Sequence, residues 1–128
     1  MKIVATYGTF DLFHYGHLRL LQRASMLGDK LIVFVSTDEF NLIKNKNSVI
    51  PFSQRIEIVS NIKCVDKVYP EYSFNQKIKN IKDYNINLIV MGDDWKTKFD
   101  YLPCKIIYLP RTNDISTTEI KKWKLQNI

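Results

Sequence analysis

TYGTFDLFHYGH, residues 6–17, is where two periodicities meet. The run that enters it, KIVATYG, is apolar and reads as a first strand. The run that leaves it, GHLRLLQRASMLG, spaces its apolar residues as a helix does, with Gly28 placed as a C-terminal cap. Between them stand an acid, Asp11, and two imidazoles, His14 and His17, three residues apart. Strand, loop and helix in direct succession make the first half of a βαβ unit, and the rest of the chain repeats that order.

KLIVFVST reads as a second buried strand. PFSQRIEIVSNIK reads as a helix capped by Ser53 and patterned by Arg55, Ile56, Ile58, Val59 and Ile62. VDKVYP is a short third strand, and SFNQKIKNIKDYN a helix opened by Ser73. NLIVMG and CKIIYLP are the fourth and fifth strands, and STTEIKKWKLQN a last helix capped by Ser116 or Thr117. The alternation predicts a single Rossmann-like α/β domain over residues 1–128, a five-stranded parallel sheet with helices on both faces. No linker, repeat or low-complexity segment interrupts it. KNKNSV, residues 44–49, is polar and lysine-bearing and reads as a mobile loop. In open parallel sheets ligands bind beyond the carboxyl ends of the strands. The chemically capable residues fall there: the loop from Gly8 to Gly16, Thr37-Asp38-Glu39, GDDW at 92–95 and PRTNDISTT at 110–118.

A chain of 128 residues with 45% hydrophobic and 25% charged residues suits one globular core. No apolar run approaches the ~18 residues of a membrane span, so a cytoplasmic protein without membrane insertion is expected. The two cysteines, Cys64 and Cys104, lack CxxC spacing and read as reduced and structural. A net charge of +6 suits an anionic partner, whether nucleic acid, nucleotide or sugar phosphate, and equally suits a lysine-rich surface with no partner. Position, not charge, must choose among these.

His17 falls in the first turn of its helix, where unpaired N–H groups and the helix dipole favour an anion. His14 precedes it in the loop, so both imidazoles can converge on one phosphate chain, and Gly16 lets a ligand approach the backbone. A metal site would need further ligands, yet only Asp11 is near and the chain has no other histidine. A helix-capping histidine is the third reading. The residue pattern leaves all three open.

GTFDLFHYGH resembles the GxFDxxHxGH signature of the nucleotidyltransferase superfamily that contains the cytidylyltransferases and the adenylyltransferases of coenzyme biosynthesis. RTNDISTT resembles a second signature, RTxGISTT, which marks the cytidylyltransferase branch. STDEFN, MGDDW and YLPRT extend the likeness, which over essentially the full length is to the bacterial glycerol-3-phosphate cytidylyltransferases. Two motifs in order, each at a predicted strand end, are far more specific than either alone.

The resemblance implies transfer of CMP from CTP to a small alditol phosphate, with sn-glycerol 3-phosphate foremost. The products would be CDP-glycerol, for teichoic acid or capsular polysaccharide synthesis, and pyrophosphate. It implies catalytic roles for His14, His17 and Arg111. It places CTP contacts on Thr9, Phe10, His14, Tyr15, Gly16, His17, Lys46, Lys63, Gly92 and Asp94, and on Arg111, Thr112, Asn113, Asp114, Ile115, Ser116, Thr117 and Thr118. Lys44 and Lys77 fall to the acceptor phosphate and Asp11 to an orienting role. Mg²⁺ would ride on the CTP phosphates with no protein metal site, and the enzyme would be a homodimer. Physical chemistry supports the second motif independently: Ser116, Thr117 and Thr118 would open a helix toward phosphate oxygens, and Arg111 offers a fork of donors. A phosphate monoester, with a second pKa near 6, is mostly dianionic at neutral pH and can attack the α-phosphorus without a general base. What is asked of the protein is alignment and charge stabilisation.

Three positions depart from the pattern. Lys63 stands where the glycerol-3-phosphate enzymes carry an arginine toward CTP, Asp114 replaces the glycine of RTxGISTT, and Phe74 a tryptophan near the acceptor pocket. In GDDW, Gly92 and Asp94 suit ribose hydroxyls, Asp93 a cap or a pair with Lys96 or Lys98, and Trp95 either base stacking or packing. A different alditol or amino-alcohol phosphate as acceptor is the alternative reading. A nucleic-acid module or a non-catalytic nucleotide sensor explains the charge but not the paired motifs.

Overall fold

The computed structural model describes residues 1–110. The predicted last helix and the segment from Arg111 to Thr118 therefore lie outside the described residues. Strands β1 (Ile3–Gly8), β2 (Lys30–Ser36), β3 (Lys67–Glu71), β4 (Leu88–Gly92) and β5 (Lys105–Leu109) form one sheet in the order 3-2-1-4-5. Every pairing is parallel, with Val4 opposite both Leu31 and Leu88. Helices α1 (Tyr15–Ser25), α2 (Asp38–Ile43), α3 (Phe52–Ser60) and α4 (Gln76–Asp83) connect the strands, and a 3₁₀ turn, Asp93–Trp95, follows β4.

The central strands β1, β2 and β4 read as continuous because they are buried on both faces, while the edge strands β3 and β5 are only partly buried. Val4, Leu31, Val33, Leu88 and Val90 pack with Leu21 and Ala24 of α1 and Val59 of α3 on one face. Ala5, Tyr7, Ile32, Phe34, Ile89 and Met91 point to the other, where Phe99 and Leu102 close the core. Each fully buried Val, Leu or Ile contributes about 1.5–3 kcal/mol of transfer free energy. Both cysteines are free and partly buried.

Several local expectations need correction. Gly28 is not a left-handed cap: Met26 ends α1 in the right-handed region. Gly28 is required for another reason, since a Cβ there would meet the Lys2 carbonyl oxygen at 2.8 Å. α3 starts behind Pro51, not Ser53, because proline's fixed φ suits the helix entrance and the chain needs no side-chain cap there. α4 starts behind Asn75, not Ser73, and the Gln76 side chain instead accepts from the Tyr72 and Ser73 N–H groups. α2 was not anticipated, although Thr37 caps it by accepting from Phe40 N.

The strand order fixes where a ligand can sit. From β1 the chain winds outward to β2 and β3, then returns to the other side of β1 to lay down β4 and β5. The loops after β1 and β4 therefore diverge and leave a crevice at the carboxyl edge.

Candidate active site

A cleft of about 620 Å³ opens at that point, lined by the ends of β1 (Tyr7, Gly8) and β4 (Met91, Gly92). Its floor is the loop that drew attention in the sequence. Phe10 and Leu12 hold φ of 54° and 49°, a left-handed conformation that non-glycine residues adopt at a cost of ~1 kcal/mol or more. The Phe10 ring is buried against the core and edge-on to His17 at 5.6 Å, which holds the turn closed.

The two histidines form a reciprocal cap. His14 Nδ1 accepts from Gly16 N at 2.9 Å, and His17 Nδ1 accepts from His14 N at 3.1 Å. Their rings stack with centroids 4.0 Å apart. Capping and ligand binding are thus compatible readings: both Nδ1 atoms are used by the backbone, so each neutral ring carries its proton on Nε2. Burial, with His14 beside it, pushes the His17 pKa down to about 3 against the opposing pull of Asp11. His17 is therefore neutral at pH 7 and offers the cleft a hydrogen-bond donor.

The KNKNSV segment is tied down. The buried Asp11 carboxylate accepts from Val49 N (2.8 Å) and Ile50 N (2.9 Å), one oxygen each. Thr9 Oγ1 donates to Asn41 at 3.1 Å, and the Lys46 N–H to the Asn41 carbonyl at 2.8 Å. Asp11 orients a loop through its backbone.

Arg55 completes this scaffold. Its side chain has 0% exposure, although the sequence pattern counted it with the apolar residues of its helix. Its guanidinium donates to the carbonyls of Thr9, Ser36 and Ile50 and to Asp38 Oδ1, each at 2.8 Å. One fork thus joins the loops after β1 and β2 to the segment before α3. The same contact, helped by Phe52 N–H, holds the Asp38 carboxyl below its usual range.

Lys44 and Lys77 come together on the far wall of the cleft. Neither is a solvated surface lysine. Lys77 is 2% exposed, paired with Glu71 Oε2 at 2.6 Å. Lys44 Nζ donates to Ser36 Oγ at 2.7 Å. Burial lowers the Lys44 pKa to about 8; Lys46, Lys77 and Arg55 push the same way and Glu71 opposes them. Lys44 itself ends α2, not a free loop.

Thr9, Phe10, Gly16, Lys46, Gly92 and Asp94 also line the cleft. Trp95 does two things: its ring packs near Phe99 and Phe74, and Lys46 Nζ lies 5.8 Å from its centroid. Asp93 accepts Lys96 N through its backbone carbonyl. Two expected CTP contacts are not brought to the cleft. Tyr15 begins α1 with its side chain 54% exposed. Lys63 lines a separate shallow depression with Leu18, Gln22, Ile62 and Cys64. Arg111 to Thr118 lie outside the described residues. Among the described residues no three His, Cys, Asp or Glu side chains are grouped to hold a metal, and no helix is long and apolar enough to cross a membrane.

Comparison with known proteins agrees with this architecture. The family described as cytidylyltransferase-like matches residues 5–123. A glycerol-3-phosphate cytidylyltransferase of Bacillus spizizenii is 57% identical over 124 residues, 95% of this chain and 96% of that protein. One of Bacillus subtilis is 54% identical over the same shares of the two chains. Among solved structures, a lipopolysaccharide core biosynthesis protein of Thermoplasma volcanium superposes with a TM-score of 0.78 at 24% identity. That superposition covers 88% of this chain and 99% of the other, and it supports the fold alone.

Proposed function

The chain belongs to the cytidylyltransferase-like family, and from that premise we propose that it transfers CMP from CTP to sn-glycerol 3-phosphate, giving CDP-glycerol and pyrophosphate. The observation that carries this reading is one cleft holding both parts of the machinery. A histidine-capped helix start faces it from β1, and two partly or fully buried lysines face it from the opposite wall. An acceptor phosphate oxygen bonds to the α-phosphorus as the bond to the bridging β-phosphate oxygen breaks, and pyrophosphate leaves. The acceptor is already a dianion near neutral pH, so no proton need be removed. His14 and His17 donate from Nε2 to phosphate oxygens as charge builds. Lys46 and Arg111 serve the triphosphate, and Lys44 and Lys77 the acceptor phosphate.

The buried carboxylates of the cleft, Asp11 and Glu71, are already engaged, so Mg²⁺ would be held by the CTP phosphates and would supply charge neutralisation there. The enzyme acts in the cytoplasm as a homodimer and supplies an activated glycerol phosphate for teichoic acid or capsular polymer. Pyrophosphate release with CTP, ATP and GTP against a panel of phosphorylated alcohols tests the reaction. Activity with CTP and sn-glycerol 3-phosphate well above every other pair is expected. Comparable turnover with ATP, or with phosphocholine as acceptor, would overturn it. Light scattering on the purified protein tests the dimer.

A further inference from the structure

Glu71, at the carboxyl end of the edge strand β3, is a buried carboxylate on the wall of a cleft assigned to anions. A negative charge there works against phosphate binding unless it has another task. Its contacts supply one. Oε2 accepts from Lys77 Nζ at 2.6 Å. Oε1 lies 3.2 Å from Ser36 Oγ, which accepts from Lys44 Nζ at 2.7 Å and can also donate to the Gly8 carbonyl at 3.3 Å. The two oxygens of one carboxylate thus reach both lysines, one directly and one through a hydroxyl.

The surroundings make this arrangement specific. Lys77 Nζ lies 4.5 Å from the centroid of Tyr7, 4.6 Å from Phe99 and 5.7 Å from Phe74, so the ammonium is walled by aromatic rings. Such rings stabilise a cation but do not fix its direction; the carboxylate does. Helix α4 turns Lys77 and Asn80 inward while Ile78 is 52% exposed, so the helix gives up apolar burial to deliver this lysine. Two ammonium groups desolvated side by side would repel each other, and one would shed its proton. A carboxylate shared between them opposes that loss.

We propose that Glu71 is the positioning residue of the acceptor site, setting Lys77 directly and Lys44 through Ser36 as a pair of ammonium groups facing one phosphate. This rests on the acceptor reading of the two lysines given above. The phosphate never touches Glu71; it meets the lysines Glu71 has placed.

Steady-state kinetics with sn-glycerol 3-phosphate varied at saturating CTP, with calorimetric CTP affinity alongside, tests the inference. Glu71→Gln is expected to raise the acceptor KM ~10-fold or more, as for loss of charge-assisted contacts, while CTP affinity holds and kcat changes far less. The pH profile separates positioning from simple support. Lys44 is faced by Glu71, Lys46, Lys77 and Arg55, and Glu71 is the one group among them that favours its charged form. In Glu71→Gln the alkaline fall of kcat/KM for the acceptor therefore moves to lower pH, which a merely structural role would not produce. An acceptor KM within twofold of wild type, or an unmoved alkaline limb, overturns the proposal. Should Glu71→Gln fail to bind CTP, Ser36→Ala decides instead, because it cuts the link from Glu71 to Lys44 and leaves the Lys77–Glu71 pair in place. An acceptor KM raised about 3-fold or more supports the relay, and an unchanged one overturns it. Lys77→Ala distinguishes two failures. A raised acceptor KM in Lys77→Ala with an unchanged one in Glu71→Gln removes Glu71's role alone. An unchanged KM in both removes the acceptor site and this inference with it.

Discussion

His17 carries two duties on one ring: Nδ1 accepts from the His14 backbone, and Nε2 is left with the proton. Replacing it with alanine removes one hydrogen bond of a helix cap, about 1 kcal/mol, which a folded domain tolerates. It also removes a donor aimed at charge that grows during phosphoryl transfer, so turnover should fall ~10²-fold or more. Single-turnover rates with the fold verified by circular dichroism check this; near-normal rates would leave the ring with its cap alone. The depressed His17 pKa also predicts how stability depends on pH. A histidine of the unfolded chain takes up a proton near pH 6.5, whereas the folded one resists until about pH 3. Between those values the unfolded state binds more protons, so stability falls as pH falls through this window, by at most ~1.4 kcal/mol per pH unit from this group. Urea melts at pH 7, 6 and 5 should show that loss, and His17→Ala should show less of it.

At the scale of elements, the loops at the carboxyl edge are held by a few side chains that reach across them. Arg55→Ala would strip hydrogen bonds from the Thr9, Ser36 and Ile50 carbonyls and leave Asp38 with only its contact from Phe52 N–H. A loss of roughly 3 kcal/mol or more is expected, as for buried carbonyls left without donors, and chemical denaturation at fixed pH measures it. Arg55→Lys should recover little, because an ammonium cannot span four acceptors in one plane. Such roles explain what could and could not be read in advance. The central strands were legible because burial on both faces leaves an uninterrupted apolar run, and the strand-end loops marked the cleft. Helix interiors misled. In α3 the pattern put Arg55 and Ile58 on one list, yet Arg55 is buried and Ile58 is 41% exposed. In α4 Lys77 faces inward and Ile78 outward. Periodicity ranks residues by hydrophobicity, so it cannot see a cation buried among carbonyls or aromatic rings supplied by distant segments. A charged residue at a core-facing position was the available signal. Glu71 gave none, since one acid at a strand end does not reveal which lysines will reach it.

For the molecule as a whole, the sheet order brings Lys44, Lys46 and Lys77 to one cleft at the carboxyl edge. Lys44 and Lys77 stand on the β2–β3 side and Lys46 leans toward Trp95 beyond β4, so the positive charge inside the cleft is spread across two walls. Two anionic substrates must meet there, and the arrangement predicts a division between them. Neutralising Lys44 or Lys77 removes a contact to the acceptor phosphate worth roughly 1.5–3 kcal/mol where the contact is direct. Weaker acceptor affinity should follow, with CTP affinity little changed. Arg111→Ala should instead weaken CTP binding or lower turnover at saturating acceptor. Lys44 adds a pH signature: its pKa of about 8 means that acceptor kcat/KM should hold up to that pH and decline above it, as the ammonium loses its proton. In Lys44→Ala that decline should vanish, leaving a lower and flatter profile. Calorimetric CTP affinities for each variant, set beside acceptor kinetics across pH 6.5 to 9.5, measure the division. If Lys44→Ala and Lys77→Ala lose CTP affinity as severely as Arg111→Ala, the two walls act as one undivided phosphate field and the assignment of separate subsites fails.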